Sequence, residues 1–199
     1  MKQITGEEFV GLIEKDPSWC KNLKKEVEIT TFVNLAYSNI THLSPLITFS
    51  GKNKNGWVVD FGNCEQLKVA TGTYKGFANF SYSEIEKIEN LNVTGVDTVI
   101  DSAYFLGCKN LKVATGTYKG FVNFSESGIE TIKDLNIENT NINGEKTRFE
   151  ACPIKYVPKE YRGKGYLYED KIIENSIKKD KIVKETINKI KSEANNIEI

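Results

Sequence analysis

Several short segments of the chain alternate apolar and polar residues, as a half-buried β-strand does. Their leucines follow one another at 24, 20 and 24 residues, within the period of roughly 20–50 residues that indicates stacked structural repeats. The pattern predicts strands at residues 67–69, 91–93, 111–113 and 135–137. The second and fourth placements stay open, because Ile85 and Ile88 compete for the same role.

An internal duplication underlies this pattern. Residues 61–93 and 105–137 are identical at 22 of 33 positions, and residues 67–77 recur unchanged at 111–121. Four cysteines stand 44 residues apart, and a serine falls between each pair. Small residues in one line are typical of the interior of a stacked repeat. The spacing therefore predicts about seven coils along the column Cys20, Ser38, Cys64, Ser83, Cys108, Ser127 and Cys152.

The motif Ser102-Ala-Tyr-Phe105-x-x-Cys108-x-x-Leu111-x-Val113 resembles the BspA-like class of bacterial leucine-rich repeats. The resemblance covers roughly residues 20–160. It departs from that class where Val-Ala-Thr-Gly-Thr-Tyr replaces an isoleucine-proline step. The resemblance implies a β-rich solenoid used for adhesion or partner binding rather than catalysis, and it carries over no functional residue.

Both flanks of the repeat predict helices. Thr5 with two following glutamates begins an apolar-faced segment that Pro17 ends. From about Glu169 to Asn195 apolar residues recur at helical spacing, interrupted at Asp180. We therefore expect a leucine-rich-repeat-like solenoid over 20–160 with a helical cap at 1–19. Residues 161–199 form a linker and an amphipathic helix, which either folds on the last coil or pairs with a partner or a second copy.

The charge balance limits the classes of partner. There are 27 basic and 27 acidic residues, so no bulk field favours nucleic acid or a membrane surface. The amino terminus lacks the apolar core of a signal peptide, and no apolar run reaches the length of a membrane span. These features predict a cytoplasmic protein.

The chemistry-bearing residues favour structural roles. Cysteines two coils apart would lie near 10 Å from each other, too far for a disulfide or a shared zinc ion. The single histidine, His42, stands outside the cysteine column. We therefore expect buried, reduced thiols, no metal, no cofactor and no catalytic residue.

Outward-facing positions are the remaining candidates for function. The residue between the two apolar positions of each predicted strand is lysine or asparagine, and acidic residues are expected on another face. This pattern predicts a non-catalytic module that presents a lysine/asparagine face to an acidic protein surface or to an anionic ligand. The alternatives are an oligomerising scaffold that uses the carboxy-terminal helix, and an enzyme with a site on the solenoid face. The predicted partner-binding residues are Lys24, Lys68, Asn92, Lys112, Asn136, Tyr74, Tyr118, Lys75 and Lys119.

Overall fold

The computed structural model describes residues 1–94, 102–141, 143–163, 165–168 and 170–195. Its elements follow in chain order: β1 Lys2–Ile4, α1 Gly6–Lys15, β2 Val27–Ile29, β3 Val33–Asn34, β4 Ile47–Phe49, β5 Trp57–Asp60, β6 Val69–Tyr74, β7 Phe77–Asn79, β8 Lys87–Val93, β9 Ala103–Tyr104, β10 Val113–Tyr118, β11 Val122–Asn123, β12 Thr131–Ile137, β13 Thr147–Arg148, β14 Tyr166–Leu167 and α2 Asp170–Asn195. Short 3₁₀ turns lie at Trp19–Asn22 and Lys159–Tyr161.

The strands form two parallel sheets of seven strands each. Sheet 1 has the order β1-β2-β4-β6-β8-β10-β12, and sheet 2 has the order β14-β13-β11-β9-β7-β5-β3. From β2 to β13, successive strands alternate between the two sheets, and β14 then joins β13 in sheet 2. The predicted leucine-rich-repeat-like solenoid is therefore wrong. The physical reason is that segments such as Phe77–Asn79 pair as strands of a second parallel sheet.

The predicted strands at residues 91–93 and 135–137 lie within β8 and β12 and are confirmed, whereas those at 67–69 and 111–113 are displaced. β6 and β10 begin at Val69 and Val113, where the predicted strands end. The duplicated Thr-Gly-Thr-Tyr run lies within these strands. Gly72 and Gly116 have φ of 106° and 111°, values that glycine adopts without a Cβ penalty. The positive φ lies at a register shift, so the glycine bends the strand where pairing slips.

The interior between the sheets holds a row of stacked rings. Phe105 lies with its ring centroid 5.0 Å from Phe80 and 5.3 Å from Phe124, at interplanar angles of 3° and 11°. The stack continues through Phe149 to Tyr168, at 5.3 and 5.1 Å. These phenylalanines are among the largest fully buried side chains of a continuous core, so the packing of successive strands depends on them.

The cysteines line the same interior, as predicted. All four are buried. The thiols of the last three donate to backbone carbonyls, and each lies 3.4–3.8 Å from the hydroxyl of the preceding serine of the column. Burial raises the pKa of Cys108 to about 11 and that of Cys20 to about 12. The three thiol-to-carbonyl distances are 3.1 Å for Cys64 to Leu35, 3.1 Å for Cys108 to Phe80 and 3.0 Å for Cys152 to Phe124.

Both predicted helices are present. Thr5 caps α1 with a reciprocal capping box: its Oγ1 accepts from the Glu8 amide at 3.1 Å, and its own amide donates to Glu8 Oε2 at 2.7 Å. The helix packs on the structure through Phe9 and Ile13, which are buried. α2 spans 26 residues, which corresponds to a length of about 39 Å.

Candidate functional site

The predicted lysine positions lie on the surface, but glutamates neutralise two of them. Lys68 precedes β6, and its Nζ lies 3.5 Å from both Glu84 and Glu86. Lys112 precedes β10, and its Nζ lies 3.3 Å from Glu130. Acidic and basic side chains therefore share one surface here, where separate faces were expected. These pairs are about half exposed, so each adds little stability, but each removes positive charge from the surface.

The two asparagines do not alternate with these lysines. Asn92 pairs in register with Thr73 and Thr117. Asn136 pairs with Thr117 on the other side. From β4 to β12 the row across sheet 1 thus consists of threonine and asparagine, and it continues through Glu28 to Gln3. Lys68 and Lys112 are absent from this row because they lie five residues before Thr73 and Thr117 in the chain.

The two predicted tyrosines lie in the interior. Tyr74 and Tyr118 are fully buried, and burial raises the pKa of both well above its ordinary value. Their hydroxyls donate to the carbonyls of Thr71 and Thr115 at 2.7 and 2.9 Å, three residues earlier in the same strands. These tyrosines stabilise the bend at the preceding glycine and do not contribute to a binding surface.

Lys75 and Lys119 occupy equal positions of the duplicated run but have different surroundings. Lys75 Nζ lies 3.0 Å from Oε1 of the Glu28 carboxylate. The other oxygen of this carboxylate, Oε2, accepts a hydrogen bond from Gln3 Nε2 at 2.8 Å. The hydrogen bond from Gln3 and then that from Lys75 lower the pKa of Glu28 to about 2. Lys119 and Lys24 are exposed. Sequence reasoning missed Glu28, since it lies outside the duplicated segment and has no repeated counterpart.

The first turns of α2 are anchored on the end of the two-sheet body. Ile172 and Ile173 pack against its core. Ser176 is fully buried; its hydroxyl accepts from the Val157 amide at 2.9 Å and donates to the Ile172 carbonyl at 2.8 Å. A small hydroxyl at this position lets the helix approach the backbone closely.

Asp180, which interrupts the apolar pattern in the sequence, ends this anchored part. Its carboxylate accepts from Tyr156 Oη at 2.8 Å and pairs with Arg162 Nη1 at 2.7 Å. The bonds from Arg162 and then Tyr156 lower the pKa of Asp180. The guanidinium is further held by the Val157 carbonyl, 2.9 Å from its Nε. The role of Asp180 could not be seen from sequence, because its partners precede it by about 20 residues.

Beyond Asp180 the helix leaves the body. Every side chain from Lys181 to Ser192 is exposed. Val183, Ile187 and Ile190, which we call the apolar stripe, are 50%, 47% and 59% exposed. At 3.6 residues per turn they fall on the helix face that carries Ile172 and Ser176. The body thus covers the first half of one apolar helix face and leaves the second half open. Ala194 follows Ile190 at the same helical spacing in the sequence, and its side chain is outside those that the structure describes.

A groove runs along the junction between the anchored and the open halves of this face. It lies between α2 and the loop that carries Tyr156, and the first two stripe residues reach it. Its lining residues are Tyr156, Lys179, Asp180, Val183, Lys184 and Ile187. Lys179 Nζ stands 5.1 Å from the centroid of the Tyr156 ring. Lys179 and Lys184 line the groove together with Asp180, whose carboxylate is bound by Arg162 and Tyr156.

The remaining chemistry is limited. His42 lies in a shallow groove beside Lys68 and Glu89, with its Nδ1 2.8 Å from Thr41 Oγ1. Among the described residues, no group of three or more histidine, cysteine or acidic side chains is arranged to hold a metal ion. In that same part of the chain, no helix combines the length and the apolar character needed to cross a bilayer.

Comparison with known proteins finds no relative. No protein-family model, no curated protein and no solved structure matches the chain.

Proposed function

We propose that this protein is a non-catalytic interaction module that binds another protein through the projecting half of α2. The two-sheet body anchors the helix and holds its apolar stripe away from the core. The binding surface is thus α2, which was predicted above as an alternative binding element, and not the lysine/asparagine face.

The observation that carries the proposal is the continuity of one apolar helix face across the edge of the body. Burying isoleucine and valine stabilises a protein by about 1.5–3 kcal/mol for each side chain, and Val183, Ile187 and Ile190 leave about half of their surface in water. A single exposed apolar residue is ordinary, but three on one face of a helix are the anchors that helix-in-groove recognition uses.

The lysine face supports binding less well. Glutamates lie within ion-pair distance of Lys68 and Lys112, Glu28 lies beside Lys75, and the two tyrosines are interior. A partner would have to displace these acidic side chains before reaching the ammonium groups.

The test is affinity capture from a lysate of the organism of origin, quantified by mass spectrometry. Replacing Val183, Ile187 and Ile190 by glutamine keeps a good helix former and removes the stripe. The proposal expects a discrete set of captured proteins to be lost from this variant, and circular dichroism to show unchanged helix content.

Two variants serve as controls. Ile182→Gln changes a residue that is 62% exposed but lies off the stripe, about 100° around the helix. Lys68→Gln with Lys112→Gln tests the lysine face. Both variants are expected to retain capture; loss with the lysine variant and retention with the stripe variant would contradict the proposal.

A further inference from the structure

The spacing of the apolar stripe and the charged residues that flank it indicate which class of partner segment can bind there. Stripe residues follow one another at intervals of four and three residues, and with Ile173, Ser176 and Asp180 they keep this spacing along the helix. This is the a/d repeat by which helices pack side by side. A helix, rather than an irregular loop, therefore fits against the stripe.

The positions beside such a seam set partner choice. Along the open half of α2 they are occupied by Lys179, Lys184, Thr186, Lys191 and Glu193, that is, by three lysines, one threonine and one glutamate. Lys184 and Lys191 are exposed, and no ion pair to either is present among the described side chains. Lys179 borders the groove beside Tyr156. The rim of the open half is thus cationic.

A second copy of the chain fits this rim poorly. In a parallel pair Lys179 of one helix would face Lys184 of the other, and in an antiparallel pair centred between Ile187 and Ile190 Lys184 of one helix would face Lys191 of the other. Like charges across such a seam are destabilising. Self-pairing therefore places lysine against lysine in either orientation.

We propose that the projecting half of α2 binds an acidic amphipathic helix of a partner protein, with apolar residues against the stripe and carboxylates against Lys184 and Lys191. This inference rests on the proposed function and specifies the partner class of the same surface. Opposite charges at these rim positions give specificity and faster association, while the stripe supplies the apolar contact.

The experiment titrates the full chain with two synthetic three-heptad peptides that carry isoleucine at a and leucine at d. One peptide has glutamate at its e and g positions and the other has lysine. Binding of the fluorescently labelled peptides is followed by anisotropy. We expect the acidic peptide to bind at least about tenfold more tightly than the basic one, and added salt to reduce the difference.

Charge-reversal variants distinguish the effect of the rim lysines on binding from the effect of net charge. The pair Lys184→Glu and Lys191→Glu is expected to weaken binding of the acidic peptide by about tenfold. The matched pair Lys178→Glu and Lys189→Glu makes the same charge change on the opposite helix face and is expected to have little effect. Equal loss in both pairs, or equal affinity for the two peptides, would overturn the inference.

Two further measurements distinguish other occupants. Co-sedimentation with phosphatidylcholine vesicles containing phosphatidylserine tests an anionic lipid surface; vesicle binding without binding of the acidic peptide overturns the inference. Light scattering over a range of protein concentration tests self-association. Self-association that the stripe variant abolishes would overturn the acidic-helix inference and assign the stripe to a second copy of the chain. Equal affinity for the two peptides together with stripe-dependent capture from the lysate would overturn the inference alone, so its failure and that of the proposed function are distinguishable.

Discussion

Replacement of Phe105 by alanine tests whether the row of stacked rings supports the two-sheet body. The Phe105 ring is fully buried and lies between Phe80 and Phe124, with centroids 5.0 and 5.3 Å away. Truncation removes two nearly parallel ring contacts and leaves a cavity that neighbouring strands can close only by changing their spacing. A Phe-to-Ala change at such a site costs about 3–5 kcal/mol, and the two stacked contacts favour the upper part of that range.

The free energy of unfolding is measured by urea titration with circular dichroism, and the melting temperature by thermal scan. For a chain of this size each kcal/mol corresponds to roughly 2–4 °C, so a loss of about 4 kcal/mol lowers the melting temperature by about 8–16 °C. Ile182→Ala, at an exposed helix position, is the control and is expected to change stability by less than about 0.5 kcal/mol. A loss below about 1.5 kcal/mol for Phe105→Ala, or an equal loss in the control, would refute the role given to the stack.

Glu28→Gln is expected to reduce stability at neutral pH, with the difference from the native chain shrinking as pH falls from about 5 towards 2. The folded-state pKa of Glu28 is lowered from 4.5 to about 2. The contribution of the Glu28 carboxylate to stability is therefore complete above the unfolded-state pKa and is lost on acidification. Urea titrations at several pH values measure the difference in the free energy of unfolding, and a pH-independent difference would contradict this expectation. Gly116→Ala is expected to destabilise the protein by about 1–3 kcal/mol more than Gly144→Ala, as measured by urea titration. Both glycines have positive φ, but only at Gly116 would the new Cβ lie 2.8 Å from a buried tyrosine hydroxyl, so equal losses would contradict the packing explanation.

Local features of the structure were predictable because their causes lie close together in the chain. Thr5 and Glu8 are three residues apart, so the capping box that starts α1 is a property of that segment alone. The repeated Cys/Ser column likewise predicted buried small residues, and Ser83 and Cys108 do meet at 3.8 Å in the interior.

The candidate binding surface was harder to predict, because it depends on which strands become neighbours. The lysine/asparagine ladder assumed that Lys68 and Asn92 occupy equal positions in adjacent strands, whereas Asn92 lies beside Thr73. The glutamates that neutralise the lysines, and the burial of Tyr74, follow from that same register. None of these contacts is encoded in spacing alone.

The amino-acid sequence by itself determined the two helices, the duplicated segment and the interior position of the cysteines, because short-range spacing and side-chain size specify them. Only the tertiary structure decided that the strands divide between two sheets, that glutamates face the lysines, and that the body covers α2 no farther than Asp180. These outcomes depend on the pairing register and on where the last strands end. The same apolar helix face is therefore core at Ser176 and open surface at Val183, although its pattern in the sequence is continuous.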